Sequence, residues 1–118
     1  MWAFLSGNQV DIKDAKVSIM THALHYGTAT FEGIRGNWNE NTNSMYIFRM
    51  KEHYERLLRG CKILRIKLPY TVDDLCEITI DLIKKNNLKE DVYIRPLAYK
   101  GAEMVANLKL HEVSDDFA

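Results

Sequence analysis

The sequence predicts an α+β domain in which a mostly antiparallel sheet packs against two helices. Short segments with alternating apolar residues are joined by turns too short to hold a crossover helix, which favours antiparallel pairing. Two neighbouring segments, residues 51–66 and 72–87, have the spacing of amphipathic helices instead. Strands therefore gather around the two helices and do not alternate with them one for one, so a βαβ arrangement is the weaker alternative.

Length, charge and cysteine content restrict the class of protein. With 118 residues the chain is expected to form one domain around a single core. Sixteen basic residues balance sixteen acidic ones, which favours neither nucleic acid nor an anionic membrane as a partner. There is no signal-peptide pattern and no apolar stretch of membrane-spanning length. Cys61 and Cys76 fall within helical patterns, so we expect buried free thiols and a cytoplasmic protein.

The chain begins with a predicted β-hairpin. Residues 2–6 alternate weakly, meet the turn pair Gly7-Asn8 and continue into residues 9–12. Residues 14–20 contain another short apolar alternation, which we interpret as a connecting segment that approaches a site.

Further strands are predicted on both sides of the helices. Residues 28–38 predict one strand, and residues 45–49 predict its hairpin partner after a polar loop. Residues 92–99 are β-branched and aromatic, which is typical of a strand. Residues 101–116 show no clear period, and residues 117–118 look like the start of another element.

The helices have recognisable boundaries. An apolar stripe at helical spacing predicts the first helix over residues 51–66. Thr71 is a good N-cap for the second helix, with Asp74 three residues later as an acidic variant of the capping box. The pair Asn86-Asn87 closes this helix.

Three motifs carry the functional prediction. Within residues 14–35 the chain contains H-A-L-H-Y-G-T followed by F-E-G-I-R, residues 53–57 read H-x-x-R-L, and residues 93–96 read Y-I-R-P. In this order and at these separations they resemble the branched-chain-amino-acid aminotransferases, pyridoxal phosphate enzymes of fold type IV. The resemblance implies a transferase of amino-acid biosynthesis. Such an enzyme uses pyridoxal 5'-phosphate to move the amino group between leucine, isoleucine or valine and 2-oxoglutarate.

The resemblance also bears on domain organisation. It covers little more than the small N-terminal domain of such an enzyme, so we expect residues 1–118 to be that domain. The family's Schiff-base lysine belongs to the larger C-terminal domain, which is absent from this chain. No catalytic residue is therefore assigned here, and the fragment alone is expected to be inactive. The complete enzyme is expected to be a homodimer or a higher homo-oligomer.

Arg56 is the candidate ligand of the cofactor. The resemblance assigns it to the phosphate, and a guanidinium offers a rigid and permanently charged fork to phosphate oxygens. The alternative is a surface arginine paired with Glu52 or Glu55 on the same helix.

Five residues are candidates for the substrate site. Tyr93 and Arg95 are two apart on a predicted strand, so their side chains emerge on one face and can hold a carboxylate. By resemblance, the arginine accepts the distal carboxylate of glutamate. Phe31 and Gly33 also share a face, where Phe31 supplies apolar area and Gly33 leaves room for the backbone to approach. By resemblance, Tyr26 lines the pocket from the neighbouring subunit. The alternatives are core packing or, for Arg95, a cross-strand ion pair.

Other interpretations remain open or weaker. The chain could belong to another fold type IV enzyme, a D-amino-acid aminotransferase or an aminodeoxychorismate lyase, or it could be a non-catalytic interaction module. His22 and His25 have a spacing that could hold a metal, but no cluster completes a coordination shell, so no metal is predicted. Nothing in the sequence supports Lys100 as a Schiff-base lysine.

Overall fold

Eight strands and three helices make up residues 1–101 and 105–118, the part of the chain that the computed structural model describes. The strands are β1 (Trp2–Leu5), β2 (Asn8–Asp11), β3 (Ala29–Phe31), β4 (Ile34–Asn39), β5 (Ser44–Ile47), β6 (Val92–Ile94), β7 (Leu97–Lys100) and β8 (Asp115–Phe117). They form three small antiparallel sheets with the orders β1-β2, β3-β7-β8 and β5-β4-β6. The helices are α1 (His22–Tyr26), α2 (Met50–Ile63) and α3 (Val72–Asn86). The predicted α+β class is confirmed, with three sheets in place of one.

The first hairpin turns one residue earlier than predicted. Leu5 pairs with Asn8, so the two central turn residues are Ser6 and Gly7. Both have positive φ, 50° for Ser6 and 83° for Gly7, as a type I′ turn requires. The glycine therefore occupies the second central position of the turn.

The two long predicted strands are each divided in the structure. Residues 28–38 do not form one strand: β3 and β4 belong to different sheets, with Glu32 and Gly33 between them. Residues 92–99 are likewise divided into β6 and β7 around Arg95 and Pro96, where the proline has no N–H to give to a ladder. The two breaks lie side by side, since the Glu32 N–H donates to the Pro96 carbonyl at 3.1 Å.

The two predicted helices are confirmed, with a shorter first helix. α2 ends at Ile63, three residues before the predicted end, and Arg65 just beyond it has φ 55°. The capping box of α3 is present, since the Asp74 N–H donates to Thr71 Oγ1 at 3.2 Å and the Thr71 N–H donates to the Asp74 carboxylate at 2.7 Å. Asn87 ends α3 in the left-handed conformation.

Sequence reasoning missed one helix and misplaced the last strand. α1 has only five residues and ends at Gly27, which is in the left-handed conformation and donates its N–H to the Ala23 carbonyl. Phe117 is not the start of an element, because β8 begins at Asp115. Residues 102–104, in the stretch predicted to lack a period, lie outside the described residues.

The core lies between the helices and the sheets. Ile34 from β4, Tyr54 and Leu57 from α2 and Leu75 from α3 are almost completely buried. The Tyr54 hydroxyl forms a buried hydrogen bond with Thr79 on α3, which satisfies both polar groups. This packing fixes α2, and with it the motif at residues 53–57, against the sheets.

Both cysteines are buried free thiols, as predicted. Burial raises the pKa of the Cys61 thiol to about 11, and the nearby Asp115 carboxylate acts in the same direction. None of the helices within the described residues is both long enough and apolar enough to span a bilayer.

Candidate functional site

The two strand breaks bring four of the predicted substrate residues together. β3 pairs with β7, so that Phe31 lies opposite Leu97, while β4 pairs with β6, so that Arg35 lies opposite Tyr93. Phe31 and Gly33 therefore face Tyr93 and Arg95 where the chain passes from one sheet to the next. The prediction of one continuous strand for residues 28–38, and of another for residues 92–99, is wrong. Phe31 and Gly33 nevertheless lie close to Tyr93 and Arg95.

Gly33 makes room for the Tyr93 ring. A Cβ atom at position 33 would overlap the Tyr93 hydroxyl and would lie 3.0 Å from its Cζ atom. Any side chain at this position would push the phenol away. The glycine is therefore needed for the approach of the Tyr93 side chain, in addition to the approach of backbone that the sequence predicts.

Arg95 connects the two aromatic residues. Its Nη2 donates to the Tyr93 hydroxyl at 2.8 Å, and its Cζ atom lies 4.1 Å from the centroid of the Phe31 ring. Among the described residues no carboxylate pairs with Arg95, so the alternative of a cross-strand ion pair has no support there. Phe31 and Tyr93 are 53% and 60% exposed, so the face formed by these residues is open to a ligand.

Arg56 does not pair with a neighbour on its own helix. Its Nε and Nη2 donate to the two oxygens of Glu32, each at 2.6 Å, in a bidentate ion pair. Glu32 lies between Phe31 and Gly33 in the chain but is buried, with a side chain only 5% exposed. The sequence alternative of Glu52 as a partner is wrong, because Glu52 pairs with Arg49.

His53 completes this polar cluster. Its Nδ1 lies 2.9 Å from Glu32 Oε2, so the carboxylate has two partners on α2. The hydrogen bond from Arg56 lowers the pKa of Glu32 to about 2, against the opposing effect of burial and with help from His53. Sequence reasoning missed this role of Glu32, although alternation around Phe31 and Gly33 turns its side chain to the opposite face.

Tyr26 has other partners within the described part of the chain. Its hydroxyl accepts a hydrogen bond from the Ala106 N–H at 2.8 Å, and its ring centroid lies 4.5 Å from that of His22. The side chain remains partly exposed at the end of α1. The structure therefore leaves the assignment of Tyr26 to a neighbouring subunit's pocket as a prediction.

The two histidines of the H-A-L-H segment have structural contacts. His22 is buried, with Nδ1 2.8 Å from Thr28 Oγ1 and Nε2 2.8 Å from the Asn107 carbonyl oxygen. His25 Nε2 lies 2.8 Å from the Ile19 carbonyl oxygen. No group of three or more histidine, cysteine, aspartate or glutamate residues that could hold a metal lies within residues 1–101 and 105–118.

Lys100 is enclosed by acceptors. Its buried Nζ donates to the Arg65 carbonyl at 2.8 Å and lies 2.5 Å from Asp115 Oδ1. These contacts give Lys100 a structural role, because they tie β7 to β8.

The fold and the order of these site elements along the chain define a class of protein. Residues 29–115 match the family model described as amino-transferase class IV, and the chain belongs to that family. Among curated proteins it is similar to a probable branched-chain-amino-acid aminotransferase of Aquifex aeolicus (strain VF5), with 51% identity over 98 residues. That match covers 83% of this chain and 32% of the relative. The corresponding enzyme of Escherichia coli (strain K12) is 43% identical over 100 residues, which is 85% of this chain and 31% of the relative.

Solved structures show the same relationship. A branched-chain aminotransferase from Thermoproteus uzoniensis, crystallised with norvaline, superposes with a TM-score of 0.90 at 38% identity, over 99% of this chain and 38% of that one. The branched-chain amino acid aminotransferase from Thermobaculum terrenum, in its PLP-form, gives a TM-score of 0.83 at 34% identity, over 98% of this chain and 38% of that one. The chain thus has the fold of these enzymes and spans about a third of the length of the curated relatives it matches.

Proposed function

We propose that this chain is the N-terminal small domain of a branched-chain-amino-acid aminotransferase. The complete enzyme would move the amino group between leucine, isoleucine or valine and 2-oxoglutarate in branched-chain amino-acid biosynthesis. The observation that carries the proposal is the exposed face where Arg95 contacts both Phe31 and Tyr93 beside Gly33. The similarity to branched-chain enzymes along most of the chain supports it.

This face combines two kinds of recognition. The Phe31 ring offers apolar area to an aliphatic side chain, and the Arg95 guanidinium offers charged donors to the distal carboxylate of glutamate. Tyr93 is hydrogen-bonded to that guanidinium and helps to orient it. A transaminase that uses both kinds of substrate in one pocket needs this combination.

Arg56 fits the phosphate of pyridoxal 5'-phosphate. Two of its five N–H groups are used by Glu32, and its side chain is 64% exposed, so the remaining donors are available to an anion. When bound, the cofactor supplies the electron sink for amino-group transfer. The residues described here would bind and orient the two ligands. Arg56 would contact the phosphate of the cofactor, and the exposed face that contains Phe31 and Arg95 would contact the substrate.

The remaining machinery is assigned to other parts of the complete protein. We place the lysine that binds the cofactor covalently in a larger C-terminal domain, and Tyr26 in the substrate pocket of a neighbouring subunit of a homodimer or higher homo-oligomer. The match to only a third of the relatives' length supports the placement of the lysine in a further domain. The partial exposure of Tyr26 supports its proposed contact with a neighbouring subunit. We further propose that the enzyme works in the cytoplasm.

The test is a substrate survey with the complete protein and added cofactor. Leucine, isoleucine, valine and D-alanine are each offered with 2-oxoglutarate, and formation of glutamate is measured. Turnover of the three branched-chain amino acids without D-alanine supports the proposal. Preference for D-alanine, or lyase activity on aminodeoxychorismate, would assign the chain to another fold type IV enzyme. Absence of all these activities in a protein that binds the cofactor would favour a non-catalytic module.

A further inference from the structure

A buried carboxylate lies behind the exposed guanidinium of Arg56. The Glu32 side chain is 5% exposed, whereas that of Arg56 is 64% exposed, so the ion pair joins the interior to the surface. The two donor–acceptor distances are both 2.6 Å, and the fork uses both carboxylate oxygens. This arrangement differs from an ion pair between two mobile surface side chains.

The fork fixes the guanidinium in one orientation. Arginine has a long side chain with many rotamers, and a single hydrogen bond would leave the guanidinium plane free to turn. Two parallel bonds from Nε and Nη2 determine that plane. The three N–H groups that Glu32 does not use then point in fixed directions.

Glu32 is itself held at both its backbone and its side chain. Its N–H donates to the Pro96 carbonyl at 3.1 Å, which anchors it to the break between β6 and β7. His53 Nδ1, one turn before Arg56 on α2, lies 2.9 Å from Oε2. The His53 side chain is 19% exposed, so this second contact is mostly shielded from water.

We propose that Glu32 is a positioning residue, supported by His53, that holds the Arg56 guanidinium in the orientation in which its remaining N–H groups bind a phosphate monoester. The inference rests on the proposed function, which assigns Arg56 to the cofactor phosphate. It also gives the F-E-G-I-R segment two functions. Phe31 and Gly33 form part of the substrate face, and the Glu32 side chain, on the opposite side of the segment, binds Arg56.

An effect of the Glu32 charge and an effect of Glu32 on the orientation of Arg56 predict opposite changes in phosphate binding, which allows a decisive test. A carboxylate beside an arginine weakens the attraction of the arginine for an anion. If Glu32 acted only through its charge, its removal would tighten phosphate binding. If Glu32 acts by orienting Arg56, its removal weakens phosphate binding although a negative charge has been lost.

The experiment compares two probes that differ only in the phosphate. The complete protein is first freed of bound cofactor, and its dissociation constants for pyridoxamine 5'-phosphate and for pyridoxamine are then measured by titration calorimetry. The ratio of the two constants isolates recognition of the phosphate. A general structural defect weakens both probes alike and leaves the ratio unchanged.

The expected result is a graded loss of phosphate recognition. Arg56→Ala should remove most of the preference for the phosphorylated probe, and Glu32→Ala should reduce it roughly tenfold, as loss of an outer partner does at metal sites. Glu32→Gln should retain part of the preference, because its amide keeps one acceptor oxygen. His53→Ala should give a smaller loss, and Glu52→Ala, on the same helix but paired with Arg49, should change nothing.

Two outcomes separate the inference from the function on which it rests. If Arg56→Ala leaves the preference intact, the assignment of Arg56 to the phosphate fails, and this inference fails with it. If Arg56→Ala abolishes the preference while Glu32→Gln and His53→Ala leave it unchanged or strengthen it, only the positioning role is overturned. These two variants also decide the question if Glu32→Ala does not fold.

Discussion

The Arg95 guanidinium stacks on the Phe31 ring, with 4.1 Å between the Cζ atom and the ring centroid. The same group donates to the Tyr93 hydroxyl at 2.8 Å. In this position an aromatic face and a phenol hold the cation, and no described carboxylate neutralises it. The guanidinium is therefore available to a ligand that brings a carboxylate of its own.

Replacing Arg95 should separate the two kinds of substrate that we propose for the complete enzyme. Glutamate offers a distal carboxylate to the guanidinium, whereas leucine offers only methyl groups. A charge-assisted hydrogen bond is worth about 1.5–3 kcal/mol, so Arg95→Ala should lower the efficiency with glutamate relative to leucine roughly ten- to a hundredfold. The half-reactions with each amino acid measure this. Arg59→Ala, on the exposed side of α2, is the control, and equal losses for both substrates would leave Arg95 as a scaffold residue.

A methyl group at Gly33 should displace the Tyr93 ring at little cost in stability. The ring is 60% exposed and can turn toward water, so Gly33→Ala should lower the free energy of unfolding by about 1 kcal/mol or less, below the usual cost of overpacking a core. Loss of the hydrogen bond between Tyr93 and Arg95 should still reduce kcat/KM of the complete enzyme roughly tenfold.

A double-mutant cycle checks this explanation. Tyr93→Phe removes the hydroxyl that a Cβ at Gly33 would overlap, so adding Gly33→Ala to Tyr93→Phe should cost much less activity than Gly33→Ala alone. Chemical denaturation of each variant reports stability. Fully additive losses would show that Gly33 acts independently of the phenol.

Glu32 should make stability depend on pH in the acid range. Its pKa is lowered from 4.5 to about 2, chiefly by the hydrogen bond from Arg56. A folded-state pKa below the unfolded value means that the ionised group stabilises the fold above pH 4.5, and that this contribution is lost as the pH falls toward 2. The stability gap between the unsubstituted protein and Glu32→Gln should therefore be largest near neutrality and shrink over that interval. Urea denaturation at a series of pH values measures the gap, and a constant gap would argue against this linkage.

The two thiols should resist alkylation in the native protein. Burial raises the pKa of Cys61 to about 11 and also raises that of Cys76, so little reactive thiolate is present at pH 8. Iodoacetamide followed by peptide mapping should label neither residue until denaturant is added. Lys62→Cys places an exposed thiol beside Cys61 and should be labelled under the same conditions. Rapid native labelling of Cys61 would show that α2 opens locally.

Sequence patterns correctly predicted the secondary-structure elements that are determined by interactions between residues close together in the chain. The apolar stripe of α2 and the capping box at Thr71 depend on residues within one or two turns, and both are present in the structure. The five-residue helix α1 was missed because it is too short to show a period. The divided strands were missed because residues on both sides of each break favour β structure, although Pro96 marked one of the two breaks.

The sequence by itself determined the α+β class, the two principal helices and the motifs from which Phe31, Gly33, Arg56, Tyr93 and Arg95 are predicted as site residues. Only the tertiary structure decided which of these residues meet. The contact between Arg95 and Phe31 depends on β3 pairing with β7, and the ion pair between Glu32 and Arg56 depends on the position of α2. Such partners lie more than twenty residues apart, and their pairing is set by strand register and by the burial of charge, which no local period records.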